Sequence, residues 1–594
     1  MKLNRIVVFV CVLLVSTVCS SQTSPDIENG FKSYGSYEGG KIDTVNVLNG
    51  NLMLTIPLPF AFPQRGALQR DYKVYLTSKN WTVQCVSSTQ SSNGLDCQWT
   101  PAIEANCIQQ FSPVGNHQAE VCPVVYGAGL SSSFDFVVKR TFENDFVPGN
   151  IIYDAFGYSL VTWDLAVHQL TTVPSRPSSP VVRTLMTTDG TGYRVELSGP
   201  DAHGIPQNVT VIDRMGNQFL GTFPSSDQIQ TGFRDPFDGV PPVVVNNGTY
   251  MPLADGSGGG SNSDYFSGQL ATFATAIDAN GNTYDIANGL DTLNRHAPAS
   301  GGTADSGDCV SPLPIARTTP FTYQGPDGAA HTVTFCYSSF PISTSFGQSG
   351  ISEAGSTTAN PGLTATPRLL LLATIVLPDR TKWTFNYDTY GEVTSVGLPG
   401  GGSLSYNWTT IGFGCDFNTP VSRAVFSRTT NDNNGNSLTT NYHWRSAATN
   451  TQLTNTVTDG AGNDAEHVFT LLAAPCDYYE TTTRYYQGTG SGRAQLKQTD
   501  TSYSSANIGD DTSSGSLANV FATDITTTVY PSVKKNTIHR VSDPGLGPST
   551  PIFGNVAQEY VYNWGNQAPG GLLRETATVF QWQKKQQLCM VESG

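Results

Sequence analysis

Short segments in which apolar and polar residues alternate follow one another along most of the chain. In the segment WTFNYD, Trp383, Phe385 and Tyr387 occupy alternate positions, with Thr384 and Asn386 between them. This period of two is that of a strand with one buried face. Gly, Pro, Asn and Ser interrupt the alternation about every 8 to 12 residues, and no long segment combines helical spacing with a capping residue. The pattern therefore predicts an all-β protein.

A motif of Asp, two arbitrary residues, Gly and then Asn or Glu occurs five times between these segments. Its Asp and Gly residues are Asp213 and Gly216, Asp278 and Gly281, Asp388 and Gly391, Asp432 and Gly435, and Asp459 and Gly462. A type I turn favours Asp at its first position, where the carboxylate accepts local N–H groups, and Gly at its fourth, where the backbone is left-handed. Each copy therefore predicts the tip of a β-hairpin. We expect Asp388→Ala to destabilise its hairpin less than Gly391→Val, because only a local side-chain bond is lost.

The copy at Asp388 lies inside a predicted meander. The strand WTFNYD precedes it, a second turn follows at Pro399 to Gly402, and Leu404, Tyr406 and Trp408 then alternate with polar residues. Aromatic residues at this density on one face need to be covered, so we expect β-hairpins and meanders stacked on units of their own kind.

Two separate segments of the chain resemble one protein family. The string YDTYGEV from Tyr387 to Val393, with LPDRTKWTF before it, resembles a YD repeat of the RHS/YD-repeat proteins, and residues Tyr34 to Gly66 resemble the amino-terminal segment of bacterial members. The resemblance implies a spiral sheet of hairpins, a shell that encloses a carboxy-terminal effector in toxin-bearing relatives. This chain has one clear YD unit and no recognisable effector. The resemblance therefore implies a scaffold with a role in adhesion or contact, or a fragment of a longer shell-forming protein, and not effector delivery.

Composition shifts divide the chain into four predicted regions. Residues 1–20 are a signal peptide, and 21–140 form a β module with a cysteine-rich insertion, for which a sandwich-like arrangement is one alternative. Residues 141–362 form a β-rich middle region with Gly/Ser loops, and 363–594 form the YD-repeat-like region. The last boundary follows a polar stretch from Ser345 to Gly362, and nearly 600 residues exceed one core. The final segment QWQKKQQLCMVESG lacks alternation, and it resembles the tail of an interrupted reading frame or of a truncated chain.

The amino terminus predicts export. Lys2 and Arg5 precede an apolar run from Ile6 to Val15 and then small residues, as in a secretory signal peptide. A lipid anchor on Cys19 is the alternative interpretation. No later segment has the roughly 20 apolar residues that a spanning helix needs. We expect a protein that is secreted or held at the cell surface.

The charge of the chain argues against one class of partner. The formal net charge is -15, and it becomes -17 when Lys2 and Arg5 leave with the signal peptide. An acidic chain without a clustered basic run binds polyanions poorly, so we expect no nucleic-acid partner. Charged residues make up only 13% of the chain, against roughly 25% in ordinary soluble domains. Surface polarity must therefore come from Ser, Thr, Asn and Gly, which suits a long extracellular β protein.

Export makes disulfides the favoured role of the cysteines. Nine of the 11 cysteines follow residue 20: Cys85, Cys97, Cys107, Cys122, Cys309, Cys336, Cys415, Cys476 and Cys589. The chain has no Cys-x-x-Cys pair, which argues against a zinc site. Pairs between Cys309 and Cys336 and between Cys415 and Cys476 are plausible, although sequence does not define connectivity.

The motifs of catalysis are missing from the sequence. There is no Gly-x-Ser-x-Gly, no His-Glu-x-x-His, and no Lys-Ser/Thr after the cluster Gly256 to Gly260. Most carboxylates lie in predicted turns. Calcium loops at Asp278 to Asn282 and Asn431 to Asn436 are an alternative to plain turns, but both lack a downstream glutamate. We expect no catalytic residues, no cofactor and no metal.

A carbohydrate-binding or glycoside-cleaving β protein is the second hypothesis. It rests on the aromatic residues Trp383, Tyr406, Trp408, Tyr442 and Trp444, which would bind cell-surface glycans if they were exposed. Alternation places most of them on a buried face. The first hypothesis instead names a carboxy-terminal continuation of the same protein as the partner.

Overall fold

A computed structural model defines the fold of most of the chain. It describes residues 30–31, 33–62, 68, 70–87, 95–101, 108–111, 118–121, 128–132, 136–147, 150–164, 166–172, 182–187, 189–200, 206–223, 248–249, 267–286, 288–293, 295–297, 299–300, 306–325, 328–354, 368–412, 421–448, 451–473, 477–505, 520–542 and 551–578. The predicted signal peptide with Cys19, the Gly256 to Gly260 cluster, Cys415, Cys476 and Cys589 lie outside these residues.

Forty strands account for most of the described residues. Strands β1 to β13 are Tyr37–Gly39, Asp43–Asn46, Leu52–Phe62, Arg70–Thr77, Trp81–Ser87, Leu95–Pro101, Ile108–Phe111, Gln118–Val121, Ala128–Ser132, Val137–Val147, Asn150–Val161, Val167–Thr172 and Val182–Thr187. Strands β14 to β25 are Arg194–Pro200, Pro206–Ile212, Gln218–Thr222, Gly248–Thr249, Ser267–Leu270, Thr272–Ile277, Thr283–Asp285, Leu290–Asp291, Ala299–Ser300, Ile315–Gln324, Ala330–Pro341 and Ile351–Ser352.

Strands β26 to β40 are Arg368–Val376, Lys382–Tyr387, Val393–Gly397, Ser403–Ile411, Ser422–Asn431, Ser437–Ala448, Gln452–Thr458, Asp464–Ala473, Asp477–Gln487, Ala494–Ser505, Val520–Val529, Ser532–Ser542, Pro551–Tyr562, Gly565–Asn566 and Leu572–Ala577. Two short 3-10 turns lie at Ser306–Asp308 and Gly490–Gly492. No α-helix occurs among the described residues, so the all-β prediction is confirmed. Nor does this part of the chain contain an apolar helix of the length that crossing a bilayer requires.

The amino-terminal strands form a five-stranded antiparallel sheet in the order β1-β2-β3-β4-β9. Strands β5 to β8 are inserted between β4 and β9, at the place of the predicted cysteine-rich insertion. The turn between β2 and β3 contains Gly50, whose N–H donates to the Asn46 carbonyl at 2.8 Å. Gly50 has a φ of +73°, and a β-carbon there would collide with Ala424 of β30. Glycine is therefore required both for the turn and for its close approach to β30.

Two long antiparallel sheets follow. The first has 12 strands, in the order β17-β18-β10-β11-β12-β13-β14-β15-β16-β19-β20-β21, and the second has 18 strands from β22 to β40. From β26 to β38 each strand of the second sheet, which we call the long sheet, pairs with the next strand along the chain. The long sheet crosses the predicted boundary at residue 362, because Thr334 of β24 lies opposite Val376 of β26. The four predicted regions themselves stay a prediction.

One apolar cluster contains residues of the five-stranded sheet, the 12-stranded sheet and the long sheet. Leu54 of β3, Val211 of β15, Phe335 of β24, Phe385 of β27 and Tyr406 of β29 are buried members. On β27 and β29 buried and more exposed residues alternate, so each of these strands contributes one face to the cluster. On β24 the residues from Val333 to Ser338 are all buried. This shared core fixes the amino-terminal sheet against the long sheet and positions the contacts described next.

Candidate functional site

All five copies of the Asp-x-x-Gly motif lie at hairpin tips. In the first copy, Oδ1 of Asp213 accepts the N–H groups of Met215 at 2.8 Å and Asn217 at 2.9 Å. The Asn217 side-chain amide donates to the other carboxylate oxygen at 2.8 Å. Gly216 has a φ of +86°, in the left-handed region. These contacts close the turn between β15 and β16.

The copies at Asp278, Asp432 and Asp459 repeat the same carboxylate contacts. Gly281, Gly435 and Gly462 have φ values of +82°, +92° and +81°. Hydrogen bonding lowers the pKa of Asp432 even though burial acts weakly in the opposite direction. The oxygens that a calcium loop would direct at an ion are engaged within the turns. Among the described residues, no group of three or more His, Cys, Asp and Glu side chains could hold a metal ion.

The copy at Asp388 differs because Glu392 replaces the asparagine. The Asp388 carboxylate accepts the N–H groups of Tyr390 and Glu392 at 2.8 and 3.0 Å. Instead of bonding one another, both carboxylates contact Arg423 of β30, Asp388 at 3.2 Å and Glu392 at 3.0 Å. Burial raises the pKa of Glu392 to about 8, although Arg423 opposes the shift. Burial also raises the pKa of Asp388.

The aromatic residues of this meander and of β31 are directed inward. The hydroxyl of Tyr387 donates to the Leu372 carbonyl at 2.6 Å, and burial raises its pKa. Trp383 and Tyr442 are buried. The ring N–H groups of Trp408 and Trp444 donate to the carbonyls of the preceding strands, at 2.9 and 2.8 Å. These residues therefore form no exposed aromatic surface for glycans. The carbohydrate-binding hypothesis rested on such a surface, so that argument for it was wrong.

An amino-terminal segment, residues 36–50, docks on the long sheet through buried charges. Asp43 is 1% exposed. Its Oδ1 accepts a hydrogen bond from Nη2 of Arg428 at 2.8 Å, and its Oδ2 accepts one from Nε of the same side chain. The hydroxyl of Tyr406 also donates to Oδ2, at 2.9 Å. Burial, followed by the Asp43 charge, raises the pKa of Tyr406. A bidentate pair of this kind is directional, so it fixes the position of β2 on β29 and β30.

The turn between β2 and β3 is held through its carbonyl groups. The Lys79 ammonium donates to the Asn49 carbonyl at 2.7 Å, and also to Ser422 at 2.9 Å and the Arg423 carbonyl at 2.7 Å. The amide of Asn455 donates to the Val47 carbonyl at 2.7 Å. Buried carbonyl groups need such donors. Asn455 of the long sheet therefore completes the hydrogen bonding of a turn 408 residues earlier, and Lys79 links the same turn to the start of β30.

A third cluster surrounds His467 of β33. Its Nδ1 lies 2.7 Å from Oε1 of Glu480, and the Ser36 hydroxyl donates to Oε2 of the same carboxylate. Glu38 lies 3.8 Å from Nε2 of the imidazole. Burial would raise the pKa of Glu480, but hydrogen bonds from His467, Ser36 and Thr483 lower it overall. Ser36 contacts the carboxylate and not the imidazole, so this is not the geometry of an activated nucleophile.

Sequence reasoning missed a further network, in the 12-stranded sheet. The Thr162 hydroxyl lies 3.1 Å from Nε2 of His168, whose Nδ1 lies 2.5 Å from Asp189. Thr162 is 5% and His168 is 2% exposed, and the same hydroxyl donates to Asp164 at 2.5 Å. Asp164 in turn accepts the Phe31 N–H at 2.7 Å. The network therefore connects the β11–β12 turn to Phe31, at the start of the described chain. Its residues form no recognisable sequence motif, so the network could not be predicted from the sequence.

The cysteine prediction is confirmed for one pair. Cys309 and Cys336 form a disulfide with an S–S distance of 2.00 Å. Backbone pairing places Cys85 opposite Cys97 on β5 and β6. Cys107, Cys122 and the predicted pair of Cys415 and Cys476 lie outside the described residues.

Comparison with known proteins yields distant structural matches. No protein-family model and no curated protein matches the chain. The Tc holotoxin pore of Photorhabdus luminescens aligns at 10% identity over 94% of this chain and 29% of that chain, with a TM-score of 0.22. The crystal structure of TcdB2-TccC3 aligns at 10% identity over 90% of this chain and 30% of that chain, with a TM-score of 0.15. The chain thus spans less than a third of these chains, and TM-scores of this size define no shared fold.

Proposed function

We propose that this protein is a non-enzymatic, exported β scaffold of the YD-repeat type. The observation that supports this proposal is the contact between the two segments that carry the resemblance. Asp43, in the segment from Tyr34 to Gly66, accepts the hydroxyl of Tyr406, in the YD meander, at 2.9 Å. Trp81 donates to the Tyr390 carbonyl of the same meander at 3.0 Å. The polar side chains of the candidate site are engaged in holding these parts together, which suits a structural role.

The scaffold would act as a wall of hairpins. Because each strand of the long sheet pairs with the next from β26 to β38, the sheet grows along the chain without crossover connections. Such a wall suits a role in adhesion or contact between cells, or as the leading part of a longer shell whose next strands belong to a continuation of the same protein.

Export is supported by the disulfide. Disulfides form and persist in oxidising compartments and are rare in the cytosol. The pairing of Cys309 with Cys336 therefore agrees with the signal peptide expected at residues 1–20.

Adhesion between cells that export the chain tests this proposal. Cells producing the full chain are expected to clump more than cells without it, and cells producing Arg428→Gln are expected to clump less because the amino-terminal segment loses its ion pair. Arg574→Gln, at an exposed pair on β40, is the matched control. Equal clumping of all four strains, with the protein found in the cytosol, would remove the proposal.

Carbohydrate binding stays a second candidate because of a polar cleft. The cleft, of about 600 Å³, lies beside β31 to β34 and the turn Gly490–Gly492. Arg493 pairs there with Asp464 at 2.8 Å and with Glu466, and Arg484 lies 3.5 Å from Glu466, so two arginines face two carboxylates. Hydroxyl-bearing ligands can donate to the carboxylates and accept from the arginines. Retardation of the chain in gels containing neutral polysaccharides, lost in Arg484→Gln and kept in Arg574→Gln, is the expected result. Unretarded migration in every gel would exclude it.

A further inference from the structure

Glu392 lies where three parts of the chain meet. These parts, which we call the joint, are the Asp388 hairpin at residues 388–393, the residues 78–81 after β4, and the start of β30 at Ser422 and Arg423. The Glu392 side chain is 1% exposed; its Oε2 accepts Nε of Arg423 at 3.0 Å, and its Oε1 is buried without a hydrogen-bond partner. The other copies of the motif carry Asn at this position, where the amide closes the turn. A carboxyl group here is therefore not required by the turn.

The charged groups around Glu392 come from each part of the joint. Asp388 lies on the same hairpin and shares Arg423 with it. The Lys79 ammonium approaches from the end of β4 and donates to Ser422 and to the Arg423 carbonyl. The guanidinium of Arg423 lies 4.2 Å from the ring centre of Tyr390, whose hydroxyl is also influenced by Glu353. Two carboxyl groups and two cations therefore meet in a buried contact.

The joint offers a carboxylate little water. A cavity of about 10 Å³ lies beside the hairpin, between Ser78 and Asn80 on one side and Tyr387 and Gly391 on the other. A volume of this size holds about one water molecule. An ionised Glu392 would thus depend on Arg423, which Asp388 already engages, and on the more distant charge of Lys79, whose ammonium donates to three other oxygens. A buried charge that is only partly compensated is costly.

We propose that the joint is a pH-sensitive contact. While Glu392 is protonated, the Asp388 hairpin stays packed against residues 78–81, where Trp81 donates to the Tyr390 carbonyl at 3.0 Å, and ionisation of Glu392 loosens that contact. The pKa of Glu392 agrees with this assignment, since burial raises it from 4.5 to about 8 while Asp388 adds to the rise and Arg423 opposes it. When the joint opens, the carboxyl group returns towards its ordinary pKa. Between about pH 4.5 and 8 the closed joint therefore holds a proton that the open joint loses, so the contact weakens as the pH rises through this window and changes little above it.

Hydrogen exchange followed by mass spectrometry on the full chain tests the joint. Protection of peptides covering residues 76–81 and 388–393, corrected for the intrinsic pH dependence of exchange, is expected to fall on the order of a hundredfold between pH 5.5 and 8. Glu392→Gln, which keeps an acceptor for Arg423 but cannot ionise, should remove this fall. The Asp459 hairpin is the internal control, because turn hydrogen bonds lower the pKa of Asp459 although burial opposes them.

A second variant keeps the test decisive if Glu392→Gln folds poorly. Glu392→Asn restores the residue that the four other copies carry, so it should close its own turn and also be insensitive to pH. Protection in the parent that does not change between pH 5.5 and 8 would overturn the proposal. An equal fall in the parent and in whichever variant folds would overturn it too, because the responsible group would then lie elsewhere.

Discussion

At the scale of single residues, the two defined positions of the Asp-x-x-Gly motif have different roles. The aspartate carboxylate accepts hydrogen bonds from the N–H groups of the turn, and the glycine adopts the left-handed backbone conformation that the turn requires. Gly391 has a φ of +73°, in the left-handed region. Gly400, in the next turn, is not left-handed, and a β-carbon added there would meet no atom within 4 Å. The two glycines therefore form a matched pair for separating backbone strain from the loss of glycine flexibility.

Gly391→Val is expected to lower the free energy of unfolding by about 1 to 3 kcal/mol, because a β-branched residue strains a left-handed position. Gly400→Val should change it by less than about 1 kcal/mol. Urea denaturation followed by circular dichroism measures both. Equal losses in the two variants would show that the strain at Gly391 is not the cause.

Asp388→Ala is a case in which the structure changes the expectation from sequence. Sequence alone assigns Asp388 only a local bond, so its loss should cost less than Gly391→Val. The structure adds the contact with Arg423 at 3.2 Å, and removing one partner of a largely buried pair costs more than an exposed one. We therefore expect Asp388→Ala to cost about 2 to 3 kcal/mol, measured in the same denaturation series. A loss below that of Gly400→Val would return Asp388 to a purely local role.

At the scale of elements, the hairpins and their docking differ in how far sequence could predict them. A turn motif acts within five residues, so each copy contains its own explanation. The pairing of Asp43 with Arg428 joins residues 385 positions apart, and nothing near either residue specifies the other. The same holds for Asn455, whose side-chain amide donates to the Val47 carbonyl in the turn between β2 and β3. Sequence could thus define the strands of the fold but not the contacts that lock the amino-terminal segment on them.

A double-mutant cycle on Asp43 and Arg428 measures the coupling free energy between these two side chains. Asp43→Asn and Arg428→Gln are each expected to cost about 3 kcal/mol, because each leaves a buried charge without its partner. The double variant should cost less than the sum by about 1 kcal/mol or more. Unfolding free energies from urea denaturation give the coupling.

The exposed pair of Arg574 and Glu559, at 3.4 Å, provides the control for this cycle. Exposed ion pairs contribute little, so Arg574→Gln should change stability by less than about 1 kcal/mol. Additive losses at Asp43 and Arg428 would mean that the two side chains stabilise the chain independently of each other.

At the scale of the whole molecule, the two ends of the long sheet differ in how many contacts they make with the rest of the chain. Near its start, the segment after Cys309 lies against β26, where the Val310 N–H donates to the Thr374 hydroxyl at 3.0 Å. At its other end, every residue of β40 is exposed. Stability should therefore be distributed unevenly along the sheet, with the disulfide region among its firmer parts.

The contribution of the disulfide follows from the loop that it closes. The two cysteines are 27 residues apart, and the loop between them contains β23 and the first part of β24. Closing a loop of this length stabilises the folded chain by about 3 to 4 kcal/mol in the chain-entropy account. The double variant Cys309→Ser/Cys336→Ala is expected to lose about that amount, with alanine at the fully buried position so that no hydroxyl is left without a partner. Thermal unfolding of both proteins without reductant provides the comparison. An unchanged midpoint would mean that the hairpin pairing of β23 with β24 already holds this end of the sheet, and that the covalent bond adds nothing to it.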